Sequence, residues 1–258
     1  ADTVHVKSDQ AEFRDYFRKW FVGILPALLD DTVVNHEILV LIGEQGLYKT
    51  TWFNFLLPPE LRCYFYTKTN SDRLNKDDLF SLTEFALICF EELDGMRPAE
   101  LNQLKAMVTM PYVNERAAYG RNKERHPHIA SFCGTGNNVQ FLTDPTGNRR
   151  WLPFEVSQIR DPHLHAIPYE LVYSQAYALW KSGFCHWFSQ EEIRVLNMHN
   201  SRFEVPNLEE DLIRTHFRKP FEGEAGIFVT AADILEQISS CLRYPLSPNK
   251  IGRIMAGL

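Results

Sequence analysis

The sequence contains few cysteines and no long apolar run, and both absences limit what the chain can be. Its five cysteines are scattered over 258 residues, and no two of them form a C-x-x-C arrangement. This usage is typical of a reduced protein without structural disulfides. No apolar run approaches the roughly 20 residues that a membrane-spanning helix requires, and the first residues lack the apolar core of a secretory signal. We therefore expect a cytoplasmic protein with no membrane partner.

An excess of positive charge is also absent. The formal net charge is −6, so no overall basic field attracts nucleic acid, and any such binding must come from a local patch. The composition is 45% hydrophobic, which is typical of a globular protein with a sizeable core. The sequence shows no internal repeat and no low-complexity tract.

The segment 39–57 is the most informative part of the chain. An apolar run of strand length is followed by a glycine-containing loop and then by a helical pattern. Backbone amides of such a loop turn toward phosphate oxygens, a lysine adds positive charge, and a threonine hydroxyl can hold Mg²⁺. The residues predicted to bind ATP are Gly43, Gln45, Gly46, Leu47, Tyr48, Lys49, Thr50 and Thr51.

The loop departs from the pattern G-x-x-x-x-G-K-[ST] at one position. Gly43, Lys49 and Thr50 stand in register, but Tyr48 occupies the place of the second glycine, and Gly46 lies two residues earlier. The alternative is an ordinary strand–turn–helix with a solvated surface lysine. The Tyr48 ring either narrows the phosphate pocket or stacks on the ligand, and both possibilities stay open.

A second apolar run, 85–90, ends in the acidic residues Glu91, Glu92 and Asp94. Carboxylates at the carboxyl end of a buried strand face the crevice where open α/β sheets bind ligands. One carboxylate can hold Mg²⁺ and another can polarise the attacking water. A solvated acidic turn is the alternative. Together with the phosphate loop, the acidic cluster predicts an ATP site whose metal ligands are Thr50, Glu91 and Glu92.

Two further segments carry candidate site residues. The predicted strand 129–133 precedes Asn137, whose amide can hold the attacking water or a γ-phosphate, although asparagine-rich turns are common. Arg149 and Arg150 follow a tight turn and can reach a phosphate, including that of a neighbouring subunit. A surface ion pair with a cation–π contact to Trp151 is the alternative for the arginines.

The basic segment 116–125 lies between the acidic strand and the strand that precedes Asn137. Mobile cations and an aromatic ring suit single-stranded DNA, through phosphate charge and base stacking. A solvated basic loop is the alternative. The residues predicted to contact DNA are Arg116, Tyr119, Arg121, Lys123 and Arg125.

Strands alternate with helices through residue 155, which predicts an α/β layer with a largely parallel sheet. We expect an N-terminal helical segment (1–36), a core (37–160) and a C-terminal helical region (161–258). The acidic stretch 204–226 contains proline and glycine and is expected to be a linker. The last helical patterns fit either the start of a winged helix or a plain helical appendage.

The combination of these motifs resembles the virulence-associated protein E family, which belongs with the superfamily 3 helicases and the primase-helicases of phages and plasmids. The resemblance covers roughly residues 12–156. Its most specific parts are D-P-T-G-N-R-R-W at 144–151 and T-G-N at 135–137.

This resemblance implies an AAA+-like P-loop ATPase core, whose sites form between the subunits of a ring that is often hexameric. It also implies a hairpin that carries the basic segment into the ring channel. Thr50 would join the phosphate-loop lysine in the Walker A pair, and Glu91 and Glu92 would be the Walker B acids, although Asp94 keeps the choice of catalytic acid open. The implied catalytic residues are Lys49, Glu92, the sensor asparagine Asn137, and Arg149 or Arg150 as the arginine finger.

The hypothesis is an ATP-dependent DNA helicase or translocase module of a mobile-element replication protein, with ATP and Mg²⁺ as its ligands. The expected partners are single-stranded or forked DNA, further copies of the chain in a ring, and a primase domain in the same or another chain. Two alternatives stay open: a P-loop switch or small-molecule kinase, and a degenerate, non-hydrolysing nucleic-acid-binding module. Tyr48 is the best support for the second of these.

Overall fold

The computed structural model describes residues 1–69, 76–115, 124–143, 148–221, 223–239 and 248–257. The chain divides into two compact units, Ala1–Glu204 and Val205–Leu258. The first unit is a mixed α/β structure, and the second is helical.

The strands and helices of the first unit alternate along most of its length. The strands are β1 (Val4–Val6), β2 (Ile38–Ile42), β3 (Phe65–Lys68), β4 (Leu87–Phe90), β5 (Tyr112–Glu115), β6 (Glu124–Pro127), β7 (Ser131–Gly136) and β8 (Trp151–Ile159). The helices are α1 (Gln10–Leu29), α2 (Lys49–Asn54), α3 (Lys76–Glu84), α4 (Pro98–Val108), α5 (Tyr169–Lys181) and α6 (Gln190–Asn200). None of the helices in the described ranges combines the length and the apolar character that crossing a bilayer requires.

Six of the strands form one sheet in the order β1–β8–β2–β7–β4–β3. Strands β8, β2, β7, β4 and β3 run parallel, and β1 pairs antiparallel with β8. This confirms the predicted α/β layer with a mostly parallel sheet. Because parallel strands all end at the same edge, the loops that follow β2, β4 and β7 open on one side of the molecule.

The apolar sequences of β2 and β4 follow from their burial on both faces of the sheet, which is typical of parallel strands. Successive residues of β2 point to opposite faces. Leu39 and Leu41 join a core with Phe13 of α1, whereas Val40 joins a second core with Leu104 of α4. The sheet is therefore covered by α1 on one face and by α4 on the other.

Helix α1 lies within the N-terminal helical segment that the sequence predicted. The Asp9 carboxylate caps its first turn by accepting a hydrogen bond from the amide of Ala11 at 2.8 Å. Trp20 is fully buried and donates its indole N–H to the carbonyl oxygen of Phe132 at 2.8 Å. This bond ties α1 to β7, the strand that leads to Asn137.

The expected region boundaries at 36 and 160 both fall within the first unit. Residues of α1 share a core with β2 and β8, and α5 and α6 contribute Ala176 and Leu196 to the same core. The first unit therefore continues through α6 to Glu204, because these helices cover the α1 side of the sheet.

The described residues of the second unit form helices α7 (Leu208–His216), α8 (Ala231–Ser239) and α9 (Pro248–Gly257). The prediction of a linker at 204–226 is wrong for α7, because Ile213 packs against the other two helices. The buried residues of this small core are Ile213, Ile234, Ile238 and Ile251.

Replacing Trp20 with Phe should lower the free energy of unfolding by about 1–3 kcal/mol, because it removes a buried hydrogen-bond donor and leaves part of the indole volume empty. Urea denaturation followed by circular dichroism measures this loss. Trp52→Phe is the matched control, since the indole of Trp52 bonds to the partly buried Thr3 hydroxyl at 2.9 Å. Equal losses in the two variants would contradict a special contribution from the Trp20–Phe132 bond.

Candidate functional site

Three loops meet at the carboxyl edge of the parallel strands and bring together residues that are distant in sequence. Lys49 follows β2, and its Nζ lies 3.3 Å from Oδ1 of Asn137, which follows β7. The hydroxyl of Thr50 donates to Oε1 of Glu91, which follows β4, at 2.7 Å. A cavity of about 420 Å³ opens between the loops. Its lining is formed by Gln45, Gly46, Leu47, Tyr48, Lys49, Thr50, Thr51, Glu91, Glu92, Thr135, Gly136 and Asn137.

Lys49 is buried, and its ammonium group is fully hydrogen-bonded. It donates to the carbonyl oxygens of Gly43 at 2.6 Å and Glu44 at 2.8 Å, in addition to Asn137. Burial lowers the pKa of Lys49 from its usual value, and the charge of Asp94 acts in the opposite direction. Because an ammonium has three donors, Lys49 must exchange at least one of these bonds to reach an anion.

The loop between β2 and α2 contains two residues with positive φ. Gly46 has φ +89°, which glycine adopts readily. Tyr48 has φ +58° and ψ +19°, a left-handed conformation that costs a residue with a side chain about 1–2 kcal/mol. The backbone at Tyr48 therefore has the conformation that the missing second glycine would favour, and the Tyr48 side chain is 43% exposed at the cavity.

The first turn of α2 leaves backbone donors available beside the cavity. Amides in the first turn of a helix have no partner within the helix. In the part of the chain that the structure describes, those of Lys49, Thr50 and Thr51 donate to no other group. All three residues line the cavity, as does Gly46 in the preceding loop.

The acidic residues after β4 differ in what they contact. Glu91 accepts the Thr50 hydroxyl, and Glu92 is exposed and lines the cavity with φ +55°. Asp94 instead accepts hydrogen bonds from two backbone amides of the loop after β7. Glu91 and Glu92 thus face the cavity, whereas the carboxylate of Asp94 is held by the adjacent loop.

Arg149 and Arg150 lie at the opposite edge of the sheet. They end a short 3-10 helix directly before β8, and Trp151 pairs with Ile38, the first residue of β2. The phosphate loop begins after the last residue of β2, so the length of that strand, roughly 13 Å, separates both arginines from the loop. The two arginines therefore do not reach the cavity of their own chain.

The turn that carries the two arginines is fixed by buried amides. Asn200 is fully buried, and its Nδ2 donates to the carbonyl oxygens of Asn148 at 2.7 Å and Trp151 at 3.0 Å. The side chain of Asn148 donates in turn to Glu204 at 2.8 Å. Because the two carbonyl groups flank the arginines in sequence, these bonds fix the backbone from which both guanidinium groups project.

The arginine turn concentrates positive charge. Among the described residues, no carboxylate forms an ion pair with Arg149 or Arg150, and the buried Nε of Arg150 has no partner. Burial and the charge of Arg149 lower the pKa of Arg150. Burial and the charges of both arginines also lower the pKa of His36, which precedes β2 at the same edge. The charge of the two arginines is therefore felt by the groups beside the turn.

Only one of the predicted DNA-contacting residues lies in the described part of the chain. Arg125 is in β6, which forms a two-stranded antiparallel sheet with β5. Its guanidinium stacks on the ring of Tyr112 at 3.5 Å. The other four, Arg116, Tyr119, Arg121 and Lys123, lie outside the described residues.

Sequence reasoning did not identify every residue of the site. Thr135 and Gly136 line the cavity, and the T-G-N motif could have indicated them. No sequence signal indicated Asn200, because it bonds to a turn that lies about fifty residues earlier.

Comparison with solved structures finds the C-terminal region of NrS-1 in its apo form, with 12% identity and a TM-score of 0.44 over 94% of this chain and 61% of that one. Two A-form apo structures of the same region match with 12% and 13% identity and TM-scores of 0.39 and 0.38. They cover 78% and 83% of this chain, which spans 45% and 53% of theirs. The chain thus spans less than two thirds of the length of each of these structures.

No curated protein matches the sequence. A family model for the virulence-associated protein E-like domain matches residues 2–205, which covers all of the α/β unit except its first residue. The motifs at the phosphate loop, the acidic strand end and the arginine turn predicted this assignment. The chain therefore belongs to the virulence-associated protein E-like domain family.

Proposed function

We propose that this chain is an AAA+-like P-loop ATPase that uses ATP hydrolysis to move along or unwind DNA, as a module of a mobile-element replication protein. The observation that carries the proposal is the meeting of the Lys49 loop, the Thr50–Glu91 pair and Asn137 around one cavity. A phosphoryl-transfer site needs a cationic phosphate ligand, oxygen ligands for a metal and a group that orients water. All three kinds of group line this cavity.

Binding of the triphosphate would depend on the phosphate loop. The amides of Thr50 and Thr51 and the ammonium of Lys49 are donors for phosphate oxygens. The Thr50 hydroxyl and the Glu91 carboxylate are hard oxygen ligands 2.7 Å apart, which fits Mg²⁺. Bound Mg²⁺ supplies positive charge that neutralises the phosphates.

Hydrolysis would depend on residues at the ends of β4 and β7. Glu92 is exposed at the cavity, where its carboxylate can orient and deprotonate the attacking water. Asn137 already contacts Lys49 and can exchange that contact for one with the γ-phosphate. These residues act by position and charge, because phosphoryl transfer requires little covalent chemistry from the protein.

We further propose that Arg149 or Arg150 completes the site of a neighbouring copy. The support is their distance from the cavity of their own chain, together with their lack of acidic partners within the described residues. A guanidinium supplied in trans stabilises charge that develops on the transferred phosphoryl group. A ring of copies in head-to-tail contact satisfies this requirement, because each interface then joins one cavity to one arginine turn.

The predicted DNA-contacting segment 116–125 begins after β5 and ends within β6, and the guanidinium of Arg125 stacks on the ring of Tyr112. We propose that this segment contacts single-stranded or forked DNA through phosphate charge and base stacking. We also propose that the helices of the second unit form the helical part of a winged-helix-like domain. A primase domain, in the same or another chain, is a further proposed partner.

A second candidate function is a non-hydrolysing nucleic-acid-binding module. The observation that favours it is Tyr48, which forces a side chain into a left-handed position of the phosphate loop. If the Tyr48 ring occupies the phosphate region, the cavity does not bind a triphosphate. Nucleotide binding therefore separates the two candidates.

The decisive measurement is the rate of ATP hydrolysis with and without single-stranded DNA. We expect hydrolysis that DNA stimulates, and a loss of at least about 100-fold in Lys49→Ala and in Glu92→Gln. Lys49→Ala should also weaken ATP binding, whereas Glu92→Gln should leave binding intact, because Glu92 acts on the water.

Lys181→Ala and Glu191→Gln are matched controls, since both residues are exposed on helices away from the cavity. Full DNA-stimulated hydrolysis in Glu92→Gln would remove Glu92 from the mechanism. Hydrolysis that a small-molecule acceptor stimulates and DNA does not would indicate a kinase or switch instead.

Mixing two inactive variants tests whether the arginines act in trans. Arg149→Ala/Arg150→Ala retains an intact cavity, and Glu92→Gln retains intact arginines. In an equal mixture that assembles randomly head to tail, roughly a quarter of the sites would combine an intact cavity from one variant with intact arginines from the other. Hydrolysis by the mixture should therefore exceed that of either variant alone. A mixture that stays inactive, or an arginine variant that is fully active alone, would refute the proposal.

Tyr48→Gly tests the strain in the phosphate loop. We expect the free energy of unfolding to increase by about 1 kcal/mol, because glycine adopts a positive φ without steric cost. Chemical denaturation measures this change, and Tyr48→Phe, which keeps the strain, should leave stability nearly unchanged. ATP binding by Tyr48→Gly but not by the original chain, measured by calorimetry, would favour the non-hydrolysing candidate.

A further inference from the structure

The short 3-10 helix Leu93–Gly95, which follows β4, packs directly on β7. Two glycines of β7 make this approach possible. A Cβ on Gly134 would lie 2.3 Å from Cδ1 of Leu93, and a Cβ on Gly136 would lie 3.1 Å from Oδ1 of Asp94. Residues two apart in a strand share a face, so the spacing of Gly134 and Gly136 forms a flat surface for this turn.

The carboxylate of Asp94 joins the turn to the loop after β7. Its two oxygens accept hydrogen bonds from the amides of Asn137 and Asn138, each at 3.1 Å. Hydrogen bonds to an ionised carboxylate are stronger than those between neutral groups. Two of them on consecutive amides fix the backbone from which the Asn137 side chain projects.

The fixed backbone determines where the Asn137 side chain lies. Its Oδ1 accepts a hydrogen bond from Lys49 Nζ at 3.3 Å, across the cavity from the Thr50–Glu91 pair. The turn that carries Asp94 begins at Glu92, whose φ of +55° is a strained backbone conformation. Such strain persists where the surrounding contacts determine the backbone, and the bonds of Asp94 supply such contacts two residues away.

We propose that Asp94 is a positioning residue that holds Asn137 in place at the cavity, and that it is not itself the catalytic acid. This inference rests on the proposed ATPase function and assigns a role to the third carboxylate of the acidic cluster. Both oxygens of Asp94 are engaged by backbone amides, whereas Glu91 and Glu92 face the cavity. The effect of Asp94 on hydrolysis therefore passes through its neighbours.

Asp94→Asn tests this role, because an amide has one acceptor oxygen where the carboxylate has two. We expect kcat for ATP hydrolysis to fall about 100-fold, the effect of displacing a catalytic group by about 1 Å. KM and the dissociation constant for ATP should change less than about threefold, because the phosphate loop is untouched. Gly136→Ala should also lower kcat, because the added methyl group would press against the Asp94 carboxylate.

A double-mutant cycle with Asn137→Ala separates positioning from direct catalysis. If Asp94 acts on hydrolysis mainly through Asn137, then Asp94→Asn should cost less than about threefold in kcat when Asn137 is already alanine. The same loss in the original chain and in Asn137→Ala would overturn the proposal, because Asp94 would then act on hydrolysis independently of Asn137. Asp30→Asn is a control for the loss of a hydrogen-bonded carboxylate charge elsewhere in the chain: Asp30 follows the last turn of α1, and one of its oxygens accepts two hydrogen bonds from Thr32.

Amide hydrogen exchange tests the inference separately from hydrolysis. In Asp94→Ala, the amides of Asn137 and Asn138 should exchange at least about tenfold faster, while those of β2 stay protected. Unchanged exchange at both amides would overturn the positioning role of Asp94, even if the chain is an active ATPase. Faster exchange in a chain that hydrolyses no ATP would support the bonds from Asp94 to the two amides but refute the proposed function.

Discussion

The parallel pairing of β7 between β2 and β4 is the constraint on which the candidate site depends. Gly134 pairs with Val40 of β2 and with Phe90 of β4, so the three strands end within a few residues of one another. The loops that follow these strands therefore begin at the same edge of the sheet and lie next to one another. A slip of one residue in this register would turn every side chain of β7 to the other face and separate Asn137 from Lys49.

The candidate cavity brings one ammonium group together with two carboxylates, because Lys49, Glu91 and Glu92 all line it. Each donor of Lys49 is bonded to an oxygen of the chain. A triphosphate alone would bring further negative charge to Glu91 and Glu92, which disfavours its binding. A divalent ion held at the Thr50–Glu91 pair, as proposed, would reverse this balance. Under the proposed function, the affinity for nucleotide is therefore set by the metal as much as by the phosphate loop.

Sequence reasoning was most successful where one physical rule determines the outcome. Continuous apolar runs predicted β2 and β4, because strands buried on both faces contain few polar residues. The rule that parallel strands present their carboxyl ends to one edge predicted that Lys49, Glu91 and Asn137 would lie near one another. The short helix α7 was missed because its charged residues outnumber the few apolar ones that pack, such as Ile213.

The location of the arginine turn could not be predicted from the sequence, because it depends on strand order. Arg149 and Arg150 stand directly before a strand, and only the position of β8 beside β2 places them at the amino edge of the sheet. Bonds from Asn200 then fix the turn, and these join segments about fifty residues apart. The arginine turn and the cavity therefore lie at opposite edges of the same sheet. Under the proposed function, a head-to-tail contact between copies would bring the arginines of one chain to the cavity of the next, and the rotation between successive copies would determine whether the assembly closes into a ring.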